Sequence, residues 1–311
     1  MNMSKDWLPP SQPVKIILDT DIGPDCDDAG ALAILHALAD RGEADIIGVM
    51  HNTSSPWGAG CIDAINVYYG RPDILVGTLK DEGFLVGESY EKYNKYIAQH
   101  YPNRCADGSG VPDATALFRQ LLAAESDRAM TIVGIGPLRN LRLLLESGPD
   151  ELSPLDGAAL VAAKVERLVV MGGAYPSGEE WNFLMDPASA SQICELWPTP
   201  ILFSGFEIGE NLLTGARLFE EAPADHPVRQ AYSLFLEGAT SRSSWDLITV
   251  LCAVRGCEPY WDIEAGGTVE IDERGGNVWR QDRSGKHAYI KPKLDPLQAQ
   301  SLLDELLVWR R

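Results

Sequence analysis

The sequence predicts an α/β fold, an open and mostly parallel sheet with helices on both faces and a β-hairpin near the C-terminal end. Short apolar runs alternate with segments whose apolar residues recur at helical spacing. Polar side chains directly follow several of these runs, as they do at the carboxyl ends of strands in open α/β sheets. The alternation has no break, so we expect a single domain over residues 1–311, with residues 1–13 as an irregular lead-in.

The predicted strands are short apolar runs bounded by turn residues. In chain order they cover residues 14–18, 45–50, 74–77, 130–135, 167–173 and 198–203. Turn residues at Gly275, Gly276 and Asn277 then predict a hairpin over residues 267–291.

The predicted helices alternate with these strands. They cover residues 27–41, 58–69, 113–124, 227–237, 248–254 and 296–307, and two more begin at Gly136 and at Asp186. Gly42 predicts the end of the first helix, whereas Asp295 as a cap and Pro296 as the first helical residue predict the start of the last one. Residues 80–112 are a weakly patterned, tyrosine-rich insertion that would either form a base-binding wall or cover a sheet edge.

The composition excludes several classes of partner and site. A net charge of −19 argues against nucleic acid and against anionic membrane surfaces. Six cysteines without CxxC spacing argue against a disulfide framework and against a zinc site. No stretch is long and apolar enough to span a membrane, and residues 1–13 contain no apolar signal-peptide segment. We therefore expect a cytoplasmic protein, with a signal peptide outside the given sequence as the alternative.

The most informative stretch joins the first predicted strand to the first predicted helix. It carries five carboxylates within ten residues, namely Asp19, Asp21, Asp25, Asp27 and Asp28. Carboxylates this close repel one another unless a proton or a cation separates them. Ligation by oxygen alone suits a hard cation, Ca²⁺ or Mg²⁺. Capping of the helix N-terminus would explain one or two of these aspartates, but not all five.

This stretch resembles the N-terminal signature of the inosine/uridine-preferring nucleoside hydrolases. The matching segments are Asp19-Thr-Asp21-Ile-Gly23 and Asp27-Asp28-Ala29. Many members have one residue between the glycine and the paired aspartates, whereas this chain has three, which resembles a bacterial branch of the family. The resemblance implies a Rossmann-like nucleoside hydrolase fold, a dimer or tetramer, and hydrolysis of the N-glycosidic bond of a nucleoside.

The resemblance also implies a Ca²⁺ site. The ion would be held by Asp21, Asp28, Asp246 and the backbone carbonyl of Ile135. Asp21 would activate the attacking water. Asp246 matches the last metal-binding carboxylate of the family and also counts among the predicted substrate-binding residues.

Further matches imply contacts to the ribose. They are Asp27, Asn52, Met171, Glu180, Trp181 and Asn182, of which residues 180–182 resemble the family's glutamate–aromatic–asparagine triplet. For Met171, and for His51, which directly precedes Asn52, a structural role is the default interpretation, because methionine and histidine at strand ends commonly pack in the core.

The residue before the last aspartate departs from many relatives, which have histidine there to protonate the leaving base. This chain has Trp245, which cannot act as an acid but can stack on a base. We therefore predict Ca²⁺-dependent hydrolysis that favours purine nucleosides. The alternatives are a non-catalytic, Ca²⁺-dependent riboside-binding protein, or a hydrolase of another riboside. A phosphatase of the haloacid dehalogenase type is disfavoured by Gly23, which stands where that family has threonine or valine.

Overall fold

The computed structural model describes residues 13–258 and 260–309. Apart from Pro13, the predicted lead-in of residues 1–13 lies outside the described residues.

The described residues form a mixed α/β architecture around one large sheet. The strands are β1 (Val14–Thr20), β2 (Ala44–His51), β3 (Leu75–Thr78), β4 (Met130–Gly134), β5 (Val165–Met171), β6 (Ser177–Gly178), β7 (Ile201–Ser204), β8 (Leu213–Thr214), β9 (Arg242–Ser243), β10 (Trp261–Ile271), β11 (Asn277–Gln281) and β12 (His287–Pro292). The helices are α1 (Asp27–Asp40), α2 (Gly58–Tyr68), α3 (Asn94–His100), α4 (Ala114–Ala124), α5 (Arg139–Glu146), α6 (Gly157–Lys164), α7 (Trp181–Met185), α8 (Pro187–Leu196), α9 (Phe206–Gly209), α10 (Ala216–Glu221), α11 (Pro227–Leu236), α12 (Trp245–Arg255) and α13 (Pro296–Leu307).

The large sheet is mostly parallel, as predicted. Within the described part of the chain its strand order is β3-β2-β1-β4-β5-β7-β12-β10-β11-β6. Every pair from β3 to β12 is parallel, whereas β10 pairs antiparallel with both β11 and β12. The carboxyl ends of β1, β2, β4, β5 and β7 therefore meet at one edge, where ligands bind in open α/β folds.

Helices cover both faces of the sheet, because its strands alternate their side chains between two cores. In β1, Ile16 and Leu18 belong to the core formed with α1, α12 and α13, whereas Ile17 belongs to the core formed with α4, α5 and α8. Strands buried on both faces read as continuous apolar runs, which explains why the first strand was predictable. No described helix has the length and the apolar character that crossing a membrane requires.

Several element boundaries differ from the prediction. The predicted hairpin is part of a larger unit, since β12 pairs antiparallel with β10 and then joins the main sheet beside β7. The last signature helix begins at Trp245, three residues before the predicted start. Helices α3 and α6 were not predicted, as they are only 7 and 8 residues long.

We expect the buried imidazole of His36 to make stability depend on pH. His36 lies in α1, its Nε2 is 2.9 Å from the side-chain oxygen of Asn66, and its ring stacks on Tyr69. Burial lowers its pKa from 6.5 to about 3, so the folded state holds it neutral. Its stabilising effect is present above pH 6.5 and is lost as the pH falls toward 3.

A His36→Gln variant tests this, because glutamine can keep the bond to Asn66 without titrating. The difference in free energy of unfolding between wild type and variant, measured in urea from pH 7 to pH 4, should shift in favour of the variant as the pH falls. A difference that stays constant across this range would contradict the assignment.

Candidate metal and riboside site

A cavity of about 350 Å³ opens at the carboxyl ends of the parallel strands. One part of its wall is acidic and another part is aromatic. It is lined by Asp21, Pro24, Asp25, Asp27, Asp28, Ser89, Tyr90, Ile135, Met171, Glu180, Trp181, Asn182, Phe206, Phe235, Arg242, Trp245 and Asp246. The structure thus brings ten of the eleven sequence-predicted site residues to one cavity, and Asn52 is the exception.

The acidic part is a compact cluster of carboxylates. One oxygen from each of Asp27, Asp28 and Asp246 lies within 4.8 Å of the other two, and all three side chains are buried. The carboxyl group of Asp21 is within hydrogen-bonding reach of Asp28. Asp21, which the sequence predicted as a metal ligand, thus borders the three-carboxylate group, whereas Asp27, which the sequence predicted as a ribose contact, is a member of that group.

Hydrogen bonds connect the two helices that carry the cluster. Oδ2 of Asp27 accepts the backbone N–H groups of Trp245 at 3.1 Å and of Asp246 at 3.2 Å. The first residue of α1 therefore caps the N-terminus of α12, although the two are separated by more than 200 residues of sequence. The side chain of Thr20, at the end of β1, donates to Asp28.

Burial and mutual repulsion disfavour the charged forms of these carboxylates. Desolvation by burial raises the pKa of Asp21 to about 7 and the pKa values of Asp27, Asp28 and Asp246 well above 3.8, and neighbouring carboxylates, Asp25 included, raise them further. Four buried carboxyl oxygen donors, with Ile135 on the same cavity wall, are the donor set of a hard divalent cation. The residues present therefore fit the predicted metal.

Two of the five N-terminal aspartates do not belong to this cluster, which corrects the sequence-based interpretation. Asp25 forms an ion pair with Arg242. Asp19 is buried behind the site, where its carboxylate accepts hydrogen bonds from the side chains of Asn52 at 3.0 Å and Asn140 at 2.7 Å. Each has its own partner, so neither needs the cation.

Asn52 lies beside Asp21, behind the cavity wall. It is fully buried and donates to Asp19, and its side-chain oxygen has no hydrogen-bond partner among the described residues. Its predicted contact with ribose stays a prediction. The neighbouring His51 is buried between Thr78 and Thr53, and burial lowers its pKa to about 3, so it does not reach the cavity as an acid.

Residues 180–182 line a second part of the cavity wall. The carboxylate of Glu180 accepts the backbone N–H groups of Gly173, Asn182 and Phe183, and it thereby caps α7. Burial nevertheless raises its pKa to about 7. The amide of Asn182 donates to the carbonyl oxygen of Met171 at 3.2 Å, which fixes both residues at the end of β5.

The aromatic part is centred on Trp245. Its ring stacks on Phe206 with 5.4 Å between ring centres, and its Nε1–H donates to the carbonyl oxygen of Phe206 at 2.7 Å. The indole N–H is therefore already used, and the ring offers a face instead of a donor. Trp181 is 38% exposed and lines the same cavity, as does Tyr90 from the tyrosine-rich insertion. None of the described lining residues is a histidine.

Seven lining residues were not among the predicted site residues, namely Pro24, Asp25, Ser89, Tyr90, Phe206, Phe235 and Arg242. Phe206 lies two residues after the end of β7, so its position after an apolar strand was a usable signal. Arg242 lies three residues before Trp245, but its partner Asp25 is 217 residues away, and no local pattern reveals such a pair.

We expect removal of divalent cations to destabilise the protein, because the carboxylates then repel one another. Chelation should lower the melting temperature, and Ca²⁺ at about 100 times its Kd should raise it again by roughly 5 °C. Differential scanning calorimetry measures both changes. An Asp246→Asn variant should respond much less to Ca²⁺, whereas Asp225→Asn, at an exposed position, should respond like wild type. A metal-free protein whose transition does not move with Ca²⁺ would show that the cluster binds no such ion.

We also expect Gly136→Ala to weaken cation binding. A Cβ at this position would be 2.7 Å from Oδ1 of Asp21 and 2.8 Å from Nδ2 of Asn52, so Asp21 would have to move. The apparent Ca²⁺ affinity, taken from the shift in melting temperature, should fall by about tenfold or more. Gly134→Ala is the matched control, since its Cβ would meet only leucine side chains at 3.4 and 3.6 Å. Equal effects of the two substitutions would contradict this explanation.

Comparisons with known proteins agree with this arrangement. Residues 16–288 match the family model described as inosine-uridine preferring nucleoside hydrolase. The non-specific ribonucleoside hydrolase RihC of Salmonella agona (strain SL483) is 27% identical over 239 residues, covering 71% of this chain and 70% of that protein.

Two solved structures have a similar fold. The purine-preferring ribonucleoside hydrolase from Gardnerella vaginalis superposes with a TM-score of 0.72 at 17% identity, covering 94% of this chain and 98% of that one. The inosine-uridine preferring nucleoside hydrolase from Bacillus anthracis gives 0.69 at 17% identity, covering 95% and 99%. Because the family model spans most of the sequence, the chain belongs to the inosine-uridine preferring nucleoside hydrolases, a family of metal-dependent hydrolases that act on ribonucleosides.

Proposed function

We propose that this protein hydrolyses the N-glycosidic bond of ribonucleosides in a Ca²⁺-dependent reaction that gives ribose and the free base, with purine nucleosides favoured. The observation that carries this proposal is the shape of the cavity, where buried carboxylates and stacked aromatic rings line one space of about 350 Å³. A sugar can contact the acidic part of this space while its base occupies the aromatic part. We further propose that the chain acts as a single domain and assembles as a homodimer or homotetramer, on the family resemblance alone.

The ion would be held by Asp21, Asp28, Asp246 and the carbonyl oxygen of Ile135, with Asp27 as a further carboxylate of the same cluster. When bound there, Ca²⁺ would hold the 2′ and 3′ hydroxyls of the ribose and one water molecule. We choose Ca²⁺ over Mg²⁺ on the resemblance, since oxygen ligation alone accommodates both ions.

Asp21 is proposed as the general base. Its carboxylate would take one proton from the attacking water while the water oxygen forms a bond to C1′. The bond from C1′ to the base nitrogen breaks through a state with oxocarbenium character. Burial raises the pKa of Asp21 to about 7 in the metal-free protein, and a nearby cation would lower it, so the carboxylate is available as a base at neutral pH.

The sugar would be oriented by the polar groups around the cluster. Asp27, Asn182 and Glu180 line the cavity and can bond hydroxyl groups. Asn52, behind Asp21, is proposed to contact the ribose once the substrate is bound, which would give its unpartnered side-chain oxygen a donor.

Purine preference is proposed because Trp245 stands where many relatives have a histidine that protonates the leaving base. Trp245 offers a stacking face but no proton, and no histidine lines the described cavity. Purines contain a ring nitrogen that solvent can protonate, whereas uracil has no comparably basic nitrogen and needs a proton from the enzyme. The relatives do not decide the question, because their printed names include a non-specific and a purine-preferring hydrolase.

Release of reducing sugar from a panel of nucleosides tests the proposed function. We expect release from inosine, guanosine and adenosine in the presence of Ca²⁺, and loss of release after chelation. Saturable binding of nucleosides without release of sugar would instead indicate a riboside-binding protein. Release only from a riboside that is not a nucleoside would indicate a hydrolase of another riboside. Either of these two results would contradict the proposal.

We expect Trp245→Ala to reduce kcat for purine nucleosides by roughly 10- to 100-fold, since stacking on a base is worth about 1–3 kcal/mol. Hydrolysis of p-nitrophenyl riboside should fall much less, because its leaving group needs no proton. Trp245→Phe is the matched control: it keeps an aromatic face and removes the hydrogen bond to Phe206. It should retain most of the purine activity. Equal losses on both substrates would mean that Trp245 acts by packing the first turn of α12.

A further inference from the structure

Arg242 is the one cationic side chain among the described residues that line the cavity. It lies in β9, at the aromatic end of the cavity. Its guanidinium carbon is 5.1 Å from the centre of the Trp245 ring and 5.3 Å from the centre of the Phe235 ring. A base that enters the space beside Trp245 therefore meets the guanidinium of Arg242.

Asp25 holds this guanidinium in one orientation. Nε of Arg242 donates to both carboxylate oxygens at 3.0 Å, and Nη2 donates to Oδ2 at 2.5 Å. Paired donors on a planar guanidinium fix its plane as well as its position. The pair is partly shielded, with the two side chains 33% and 25% exposed.

One side of the guanidinium remains available for a ligand. Nη1 of Arg242 has no acceptor among the residues that the structure describes, since the hydrogen bonds of this side chain all go to Asp25 through Nε and Nη2. Asp25 neutralises most of the positive charge, and five further carboxylates line the cavity. A phosphate is therefore a poor match, and neutral acceptors on a base are the better one.

We propose that Arg242 determines base specificity, because its free N–H groups donate to acceptors on the edge of the base and so favour 6-oxopurine nucleosides over adenosine. Hypoxanthine and guanine present N7 and O6 side by side as acceptors, the pair that arginine binds with two hydrogen bonds in nucleic acids. Adenine presents an amino donor beside N7, which a guanidinium cannot bond. This inference deepens the proposed function and rests on it.

The same contact supports bond cleavage. As the water oxygen bonds to C1′ and its proton goes to Asp21, the electron pair of the C1′–N9 bond passes to the base. Solvent protonates a ring nitrogen that Arg242 does not bind, and the donors of Arg242 stabilise the electron density that collects at N7 and O6. Asp21 returns its proton to solvent, so that nucleoside and water yield ribose and free base.

The test compares inosine and adenosine as substrates of wild type and Arg242→Met, which removes the donors and keeps an apolar stem. We expect the ratio of kcat/KM for inosine to that for adenosine to fall by roughly 10- to 100-fold, the discrimination expected of a bidentate pair. Arg255→Met is the matched control, since Arg255 forms a similar two-point ion pair with Glu43 away from the cavity. Arg255→Met should have the same inosine-to-adenosine ratio of kcat/KM as wild type.

An unchanged ratio of kcat/KM for inosine to that for adenosine in Arg242→Met, whatever happens to the absolute rates, would overturn the proposal. Arg242 would then have only a structural role, as the ion-pair partner of Asp25. Binding of free hypoxanthine and of free adenine, measured by the quenching of tryptophan fluorescence, gives a readout that needs no turnover. Wild type should prefer hypoxanthine and Arg242→Met should not. If wild type releases ribose from no nucleoside, the proposed function fails, and the comparison of free bases still decides the role of Arg242.

Discussion

Repulsion among four buried carboxylates is the constraint on which this site depends. Asp21, Asp27, Asp28 and Asp246 are each at most 5% exposed, so little water screens their charges. The N-termini of two helices reduce this repulsion. Asp27 and Asp28 lie in the first turn of α1 and Asp246 in the first turn of α12, where helix dipoles favour negative charge. A divalent cation would offset the remainder.

The fold brings the cluster together by sequence-distant contacts. The acidic loop after β1 meets the start of α12 through the bonds from the Trp245 and Asp246 N–H groups to Asp27. The Asp25–Arg242 pair joins the same two segments at the cavity wall. Because Trp245 and Asp246 are neighbours in one helical turn, the proposed position of the metal and the proposed position of the base are coupled. A change in one of these segments is therefore expected to affect both.

How far the sequence predicts this arrangement depends on whether the signal is local. The aspartates after β1 are close in sequence, so their clustering was visible, and buried strands appear as apolar runs. The destination of each aspartate was not visible: Asp19 is bonded by Asn140, 121 residues away, and Asp25 by Arg242. The pairing of β12 with β7 also escaped prediction, because non-local strand pairing leaves no periodic pattern. Short helices such as α6 carry too few turns for a clear period.

Isothermal titration of the metal-free protein with Ca²⁺, in two buffers of different ionisation enthalpy near pH 7, tests the central claim most directly. If the carboxylates share one ion, each chain should bind one Ca²⁺. Their raised pKa values mean that some are protonated without the ion, so binding should release protons, and the measured enthalpy should differ between the buffers. Absence of binding, or binding with the same enthalpy in both buffers, would contradict the account.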